Sequence, residues 1–223
     1  MADNRPTIAI LGGTGAVGAG LAWRWARAGY PVIIGSRAAE KAEHAVREVA
    51  ERAPGAALSG FENLAAAAAA DIVVLTVPYA NHGAMLEALK DTVQGKIFVD
   101  VTVPLAPPKV NRVQLPDGGS VAKAAQEYLG SGVKVVSALH NVAAAHLSDD
   151  HGAPDCDVLV CGDDADARQQ VVELIEAAGL KGWHAGPIDN SVVAEALTSV
   201  LIFMNRRYKI DGAGIRITGD PEE

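Results

Sequence analysis

Three glycines near the start of the chain have the spacing that phosphate recognition needs. The segment Ile8-Ala9-Ile10-Leu11-Gly12-Gly13-Thr14-Gly15-Ala16-Val17-Gly18 carries G-x-G-x-x-G at Gly13, Gly15 and Gly18. Gly13 would permit a tight turn out of a strand. Gly15 would leave bare backbone where a pyrophosphate approaches, and Gly18 would let the next helix pack closely. The start of that helix offers free N–H groups and a positive dipole end to phosphate oxygens. A glycine-rich turn can have this pattern and bind nothing. Here an apolar β-branched run precedes it and a helical pattern follows, which is the context a dinucleotide site requires.

The second set of residues lies after the next apolar run. NAD sites place an Asp or Glu there, about 20 residues on, to hold the ribose 2′-hydroxyl. This chain has Gly35-Ser36-Arg37 instead, with Lys41 one helical turn later. A hydroxyl, a guanidinium and an ammonium suit a 2′-phosphate dianion and favour NADP over NAD. A solvated, charged helix start would read the same way.

Other chemistry-bearing residues are scattered. His140 ends an apolar run, where it could orient a ligand or cap the strand end. His146, Asp149, Asp150 and His151 match no standard zinc spacing and read as a solvated loop, so no metal site is expected. Cys156 and Cys161 lie five apart, so on one strand they face opposite sides and cannot bridge. They read as small buried hydrophobes, and the sparse cysteine suits a reducing cytoplasm. No nucleophile–base pair stands out.

These residues need a scaffold, and the apolar pattern supplies one. Strands are expected over 7–11, 32–35, 58–61, 72–77, 97–101, 133–139, 158–161 and 181–184. Helices are expected over 17–28, 40–52, the alanine run 65–70, around 85–89, and over 120–129, 165–178 and 192–208, with Ser120 and Ser191 as caps. Pro104, Pro107, Pro108, Pro116, Gly118 and Gly119 mark residues 103–119 as a loop. The alternation implies a doubly wound, mostly parallel α/β sheet of the Rossmann type, with an extended second half and a small C-terminal helical appendage. Residues 1–185 form the nucleotide-binding domain in this reading, and 186–223 the appendage.

Composition narrows the partners. The chain has 223 residues and a formal net charge of −8, which disfavours a general nucleic-acid binder. Residues 1–7 hold no apolar signal region, and no run approaches a membrane span. Diffusible small molecules are the expected partners, with the apolar last helix a candidate homodimer surface.

With these residues in view, the chain resembles the F420-dependent NADP oxidoreductases. The stretches that carry the resemblance are LGGTGAVGAGLA, VIIGSRAAEKA, DIVVLTVPYANH, VVSALHNVAA, DVLVCGDDADA, AGPIDNS and the late GIRITG. They span nearly the whole chain. The resemblance implies reversible hydride transfer between NADP(H) and coenzyme F420, a 5-deazaflavin. The coenzymes carry such chemistry themselves, and the protein must stack them in register.

By this resemblance, Thr14, Gly15, Ala16 and Val17 face the pyrophosphate, while Ser36, Arg37 and Lys41 face the 2′-phosphate. Thr76, Val103 and Ala144 line the cleft. Val142 and Leu201 pack on the deazaflavin, and Ala213 closes over the rings. Arg206, Arg207 and Lys209 are a candidate anchor for the anionic F420 tail, or simply a cationic helix end.

Alternatives are an NADPH-dependent imine or carbonyl reductase, and a non-catalytic NADPH-sensing module. Pyrroline-carboxylate-type reductases normally carry a longer helical C-terminal domain. A short-chain dehydrogenase is disfavoured because Tyr128 is followed four residues later by Gly132 rather than Lys.

Overall fold

The computed structural model describes residues 5–148, 152 and 155–219. Eight strands form one sheet: β1 (Ile8–Leu11), β2 (Val32–Ser36), β3 (Leu58–Glu62), β4 (Ile72–Leu75), β5 (Ile97–Asp100), β6 (Lys134–Ser137), β7 (Asp157–Gly162) and β8 (Lys181–His184). Their order across the sheet is β3-β2-β1-β4-β5-β6-β7-β8. The first six run parallel; β7 pairs antiparallel with β6, and β8 parallel with β7. This is the doubly wound, mostly parallel sheet expected from the sequence.

Among the described residues, eight α-helices connect and cover the strands: α1 (Ala16–Arg27), α2 (Ala39–Arg52), α3 (Asn63–Ala69), α4 (Tyr79–Leu89), α5 (Val121–Leu129), α6 (Ala144–Leu147), α7 (Ala165–Ala177) and α8 (Ser191–Tyr208). Side chains alternate across each strand, so the sheet has two apolar faces. Ile8, Ile10, Ile34, Val74, Val99 and Val136 point to one core with Leu21, Trp25, Val49 and Ile175. Ala9, Leu11, Ile33, Val73, Phe98 and Val135 point to the other with Leu86, Leu89, Ala125 and Leu129. The alanine run explains itself here: Ala66 and Ala67 are fully buried, and only small side chains let α3 lie this close to the sheet.

Sequence and structure differ in several places, three of which bear on the second half of the sheet and the last helix. The run 133–139 pairs only over Lys134–Ser137, because Leu139 turns left-handed at φ 69°. The short α6 follows that turn and gave no sequence signal. Ser120 caps α5 as expected, accepting the Lys123 N–H. Ser191 does not cap α8. It is the first helical residue, and its hydroxyl meets Ile188 O and Ser120 Oγ at 2.6 Å each.

Candidate functional site

The parallel strands end on one edge, and a cleft of about 720 Å³ lies across the ends of β2, β1, β4 and β5. In an open parallel sheet this carboxyl edge, where the connections diverge, is the expected ligand site. At one end stand Ser36, Arg37 and Asn63; at the centre Thr14, Gly15, Ala16, Val17 and Thr76; at the far end Tyr79, Thr102, Val103 and Leu105.

The glycine turn shows why each glycine is there, with one change of assignment. The left-handed residue is Gly12, at φ 77°, rather than Gly13. Gly13 is instead a packing glycine: a Cβ there would lie 2.8 Å from Ile10 O and 3.0 Å from Ile34 Cγ2. At Gly18 a Cβ would fall 2.6 Å from Gly13 Cα and 2.9 Å from Thr76 Oγ1, so the helix start is pressed against the turn. Gly15 differs from both. A Cβ there would approach only Gly12 O, at 3.4 Å, so the protein itself has room for one. Gly15 also precedes α1 as its cap, and no side chain accepts from the first helical N–H groups. Bare backbone, free donors and a positive helix end converge there on the cleft.

Ser36 is buried at the end of β2, and Arg37 beside it is exposed. No hydrogen bond or ion pair engages the Arg37 guanidinium among the described residues. Lys41 lies one turn along α2, in an adjoining groove that shares Thr14 with the cleft and is also lined by His44, Glu48 and Arg52.

Further residues of the cleft escaped sequence reasoning, Asn81 and Thr102 among them. Gly12 supplies the left-handed turn. Asn63 Oδ1 accepts the Gly12 N–H at 3.4 Å and ties that turn to α3. Tyr79 opens α4 on the cleft, and Leu105 lies in the proline-rich loop. The Pro78–Tyr79 step after β4 was a usable signal for Tyr79. Nothing in the sequence joins Asn63 to a turn 51 residues away.

The remaining expected residues, His140, Val142, Ala144, Leu201 and Ala213, do not line this cleft. His140, Val142 and Leu201 are buried, and Ala144 and Ala213 half-buried. They form a second group beyond β6. Thr198 Oγ1 of α8 donates to His140 O at 2.7 Å, and the Ala213 N–H donates to Asn205 Oδ1 at 2.8 Å.

His140 is only 4 % exposed, and neither ring nitrogen finds a hydrogen-bond partner. Burial pulls its pKa down to about 4, against the opposing charge of Asp100 and the adjacent Thr102 backbone. The ring is therefore neutral near pH 7. Thr102 Oγ1, Ser137 Oγ and Asn141 Oδ1 are likewise buried without partners. Orphaned polar atoms on this scale mark a place where a ligand or water completes the bonding.

Beneath the far end of the cleft, His82 Nε2 and Asp100 Oδ2 lie 2.6 Å apart, both buried. Glu195 of α8 accepts the Val121 and Ala122 N–H groups at 2.8 and 3.1 Å. Burial pushes its carboxyl up to about 7, with those two bonds pulling the other way. Cys156 and Cys161 are buried thiols, each raised to about 11 chiefly by desolvation, and are unreactive as thiolates near neutrality. Among the described residues, no group of His, Cys, Asp and Glu is placed to hold a metal ion. Asp149, Asp150 and His151 lie outside the described residues. No described helix is long and apolar enough to cross a membrane.

Comparison with known proteins agrees with this geometry. Residues 7–104 match the family described as NADP oxidoreductase, coenzyme F420-dependent. The chain is 43% identical over 219 residues to an F420-dependent NADP reductase of Methanocaldococcus jannaschii, covering 95% of this chain and 97% of that protein. It is 41% identical over 223 residues to the F420-dependent NADP reductase of Methanothermobacter marburgensis, covering 96% of this chain and 99% of the other. A solved structure from Arthrobacter sp. FB24, provisionally assigned as an F420-dependent NADP reductase, superposes with TM-score 0.78 at 30% identity, covering 96% of this chain and 100% of that one.

Proposed function

The chain belongs to the family of coenzyme F420-dependent NADP oxidoreductases, and on that premise we propose how its residues divide the work of moving a hydride between NADP(H) and coenzyme F420. The protein is an oxidoreductase, and both coenzymes are its substrates. The observation that carries this reading is that the similarity runs past residue 104, through the second half of the chain. A nucleotide motif alone would not require that.

The bound coenzymes supply the redox chemistry, between C4 of the nicotinamide and C5 of the deazaflavin. The protein's part is to bind, orient and exclude water. The amides of Ala16 and Val17, with Thr14 and the bare backbone at Gly15, would hold the pyrophosphate of NADP. Ser36 and Arg37 hold the 2′-phosphate from the rim, and Lys41 adds charge from the adjoining groove. Thr76 and Val103 would flank the nicotinamide.

Val142, Ala144, Leu201 and Ala213 are assigned to the deazaflavin side, with His140 orienting a ring. Residues 186–223 would complete that side. Support comes from the bonds that join α8 to His140 and the tail to α8, and from the orphaned polar atoms beside them. No side chain is assigned as acid, base or nucleophile.

The exposed apolar side chains Val193, Val200 and Phe203 on α8 suit a homodimer contact. A cytoplasmic setting fits two unpaired, buried cysteines. A mixture of the protein with NADPH and oxidised F420 should lose the deazaflavin absorbance, and reduced F420 with NADP should restore it. Absence of turnover in both directions, from mildly acidic to alkaline pH, rejects the function.

A further inference from the structure

The cleft has two walls at its β5 end. One is the first turn of α4, with Tyr79 and Asn81; the other is the loop after β5, with Thr102 and Val103. No strand pairing holds either wall. A single carboxylate fastens both. Asp100 Oδ2 lies 2.6 Å from His82 Nε2, one residue past Asn81 on α4. Asp100 Oδ1 accepts the Thr102 N–H at 3.0 Å and so shapes the loop. Asp100 is fully buried and His82 is 6 % exposed.

Burying such a pair is costly, and well-packed apolar residues of the same volume are often as stable or more so. Its value therefore lies in fixing one arrangement. The place it fixes is defined by the rest of the cleft. With the phosphate groups over β1 and β2, the part of NADP left to reach β5 is the nicotinamide riboside, ending in the nicotinamide ring.

We propose that His82 and Asp100 form a positioning pair that sets the gap between α4 and the β5 loop, and through it the seat of the nicotinamide ring. Neither residue touches a coenzyme. The proposal rests on the placement of NADP given above, with its 2′-phosphate at Ser36 and Arg37. Hydride transfer is sensitive to such placement, since a displacement of about 1 Å can cost about 100-fold in rate.

The test compares two nucleotides that share the 2′-phosphate half. 2′,5′-ADP lacks the nicotinamide and should not sense the pair. Calorimetry on coenzyme-free protein should show His82→Ala and Asp100→Ala binding NADPH about tenfold more weakly. Their affinity for 2′,5′-ADP should stay within about twofold of the wild type. Turnover with F420 should fall with a changed isotope effect for 4-deuterated NADPH.

Asp100→Asn keeps an acceptor for Thr102 and a partner for His82, and His82→Gln keeps a donor toward Asp100. Both should recover most of the NADPH preference. If Asp100→Ala does not fold, the contrast between His82→Ala and His82→Gln decides. Variants that melt earlier yet keep the wild-type ratio of NADPH to 2′,5′-ADP affinity, and an unchanged isotope effect, show a merely structural pair and overturn the proposal. A wild-type protein that binds neither nucleotide removes the premise instead, which is a different failure. The binding ratio is read without F420, so it does not depend on the redox reaction.

Discussion

The two ends of the cleft are built by opposite means. The glycine-turn end is made by removing side chains: Gly12 turns left-handed, Gly13 and Gly18 allow contact, and Gly15 leaves a gap. The β5 end is made by burying polar ones, with His82, Asp100 and Thr102 all below a tenth exposed. A backbone cradle needs local shape, which a few adjacent residues specify. A polar floor needs partners brought from distant elements, and its bonds are strong only because water is kept out. Substitutions should therefore fail differently at the two ends.

The largest expected effect is at Gly15. Gly15→Val should abolish nucleotide binding while leaving the melting temperature without ligand nearly unchanged, because the protein has room for its Cβ and the pyrophosphate does not. Wild-type protein should gain about 2.7 kcal/mol at a hundredfold excess of NADPH over its dissociation constant, and the variant almost nothing. A full NADPH-dependent rise in the variant's melting temperature would falsify the cradle.

Gly18→Ala sharpens the same contrast from within the turn. Its Cβ would meet Gly13 Cα at 2.6 Å, so the fold itself should suffer, by about 1–3 kcal/mol of overpacking, before any ligand is added. Denaturant melts of the two apo variants separate a binding glycine from a packing glycine.

Arg37→Ala should weaken NADPH about 10- to 100-fold, as expected for a lost charged hydrogen bond, and leave NADH little changed. Equal losses for the two would move the 2′-phosphate elsewhere, with Lys41 the next cation to test.

The smallest effect is at the polar end and depends on pH. Burial pushes the Glu195 carboxyl from an ordinary 4.5 up to about 7 in the folded protein, against the Val121 and Ala122 N–H bonds that favour its charge. Its folded value is the higher one, so its contribution is fully present below about pH 4.5 and is lost as pH rises through about 7. Glu195→Gln cannot ionise and should shrink the drop in melting temperature between pH 5 and pH 8 by a few degrees, at about 2–4 °C per kcal/mol for a chain of this size. Identical pH profiles for variant and wild type would show that Glu195 stays ionised throughout.

What the sequence showed follows the same division. The glycine spacing, Ser36 and Arg37 lie within short runs whose periodicity is unmistakable, so their place at the carboxyl edge could be read before any coordinates. The turn was assigned to Gly13 rather than Gly12 because spacing does not report φ. His82 and Asp100 sit 18 residues apart in elements that were individually expected, yet nothing in either element announces the other. Ser191 illustrates the limit at helix starts. Its type suits a cap, but its hydroxyl is spent on Ser120 of another helix. The position of the second group could not be read either, because it depends on the left-handed Leu139 and on the reversed strand that follows.

That reversal decides when the molecule is fastened. Since β7 runs against β6, the start of β7 projects past the end of β6, where Asn141 Nδ2 donates to Asp157 O at 2.7 Å. The Asp157 N–H donates to Ile215 O, and its carboxylate accepts from Trp183 Nε1 and from the Ile217 N–H, 60 residues further on. A chain emerging from the ribosome exposes its strands in order of synthesis. The strands and glycine turn of the nucleotide cleft are all available by residue 105, whereas the knot at Asp157 must wait for Ile217. The bonds at Asp157 therefore cannot close until nearly all of the described chain has been made.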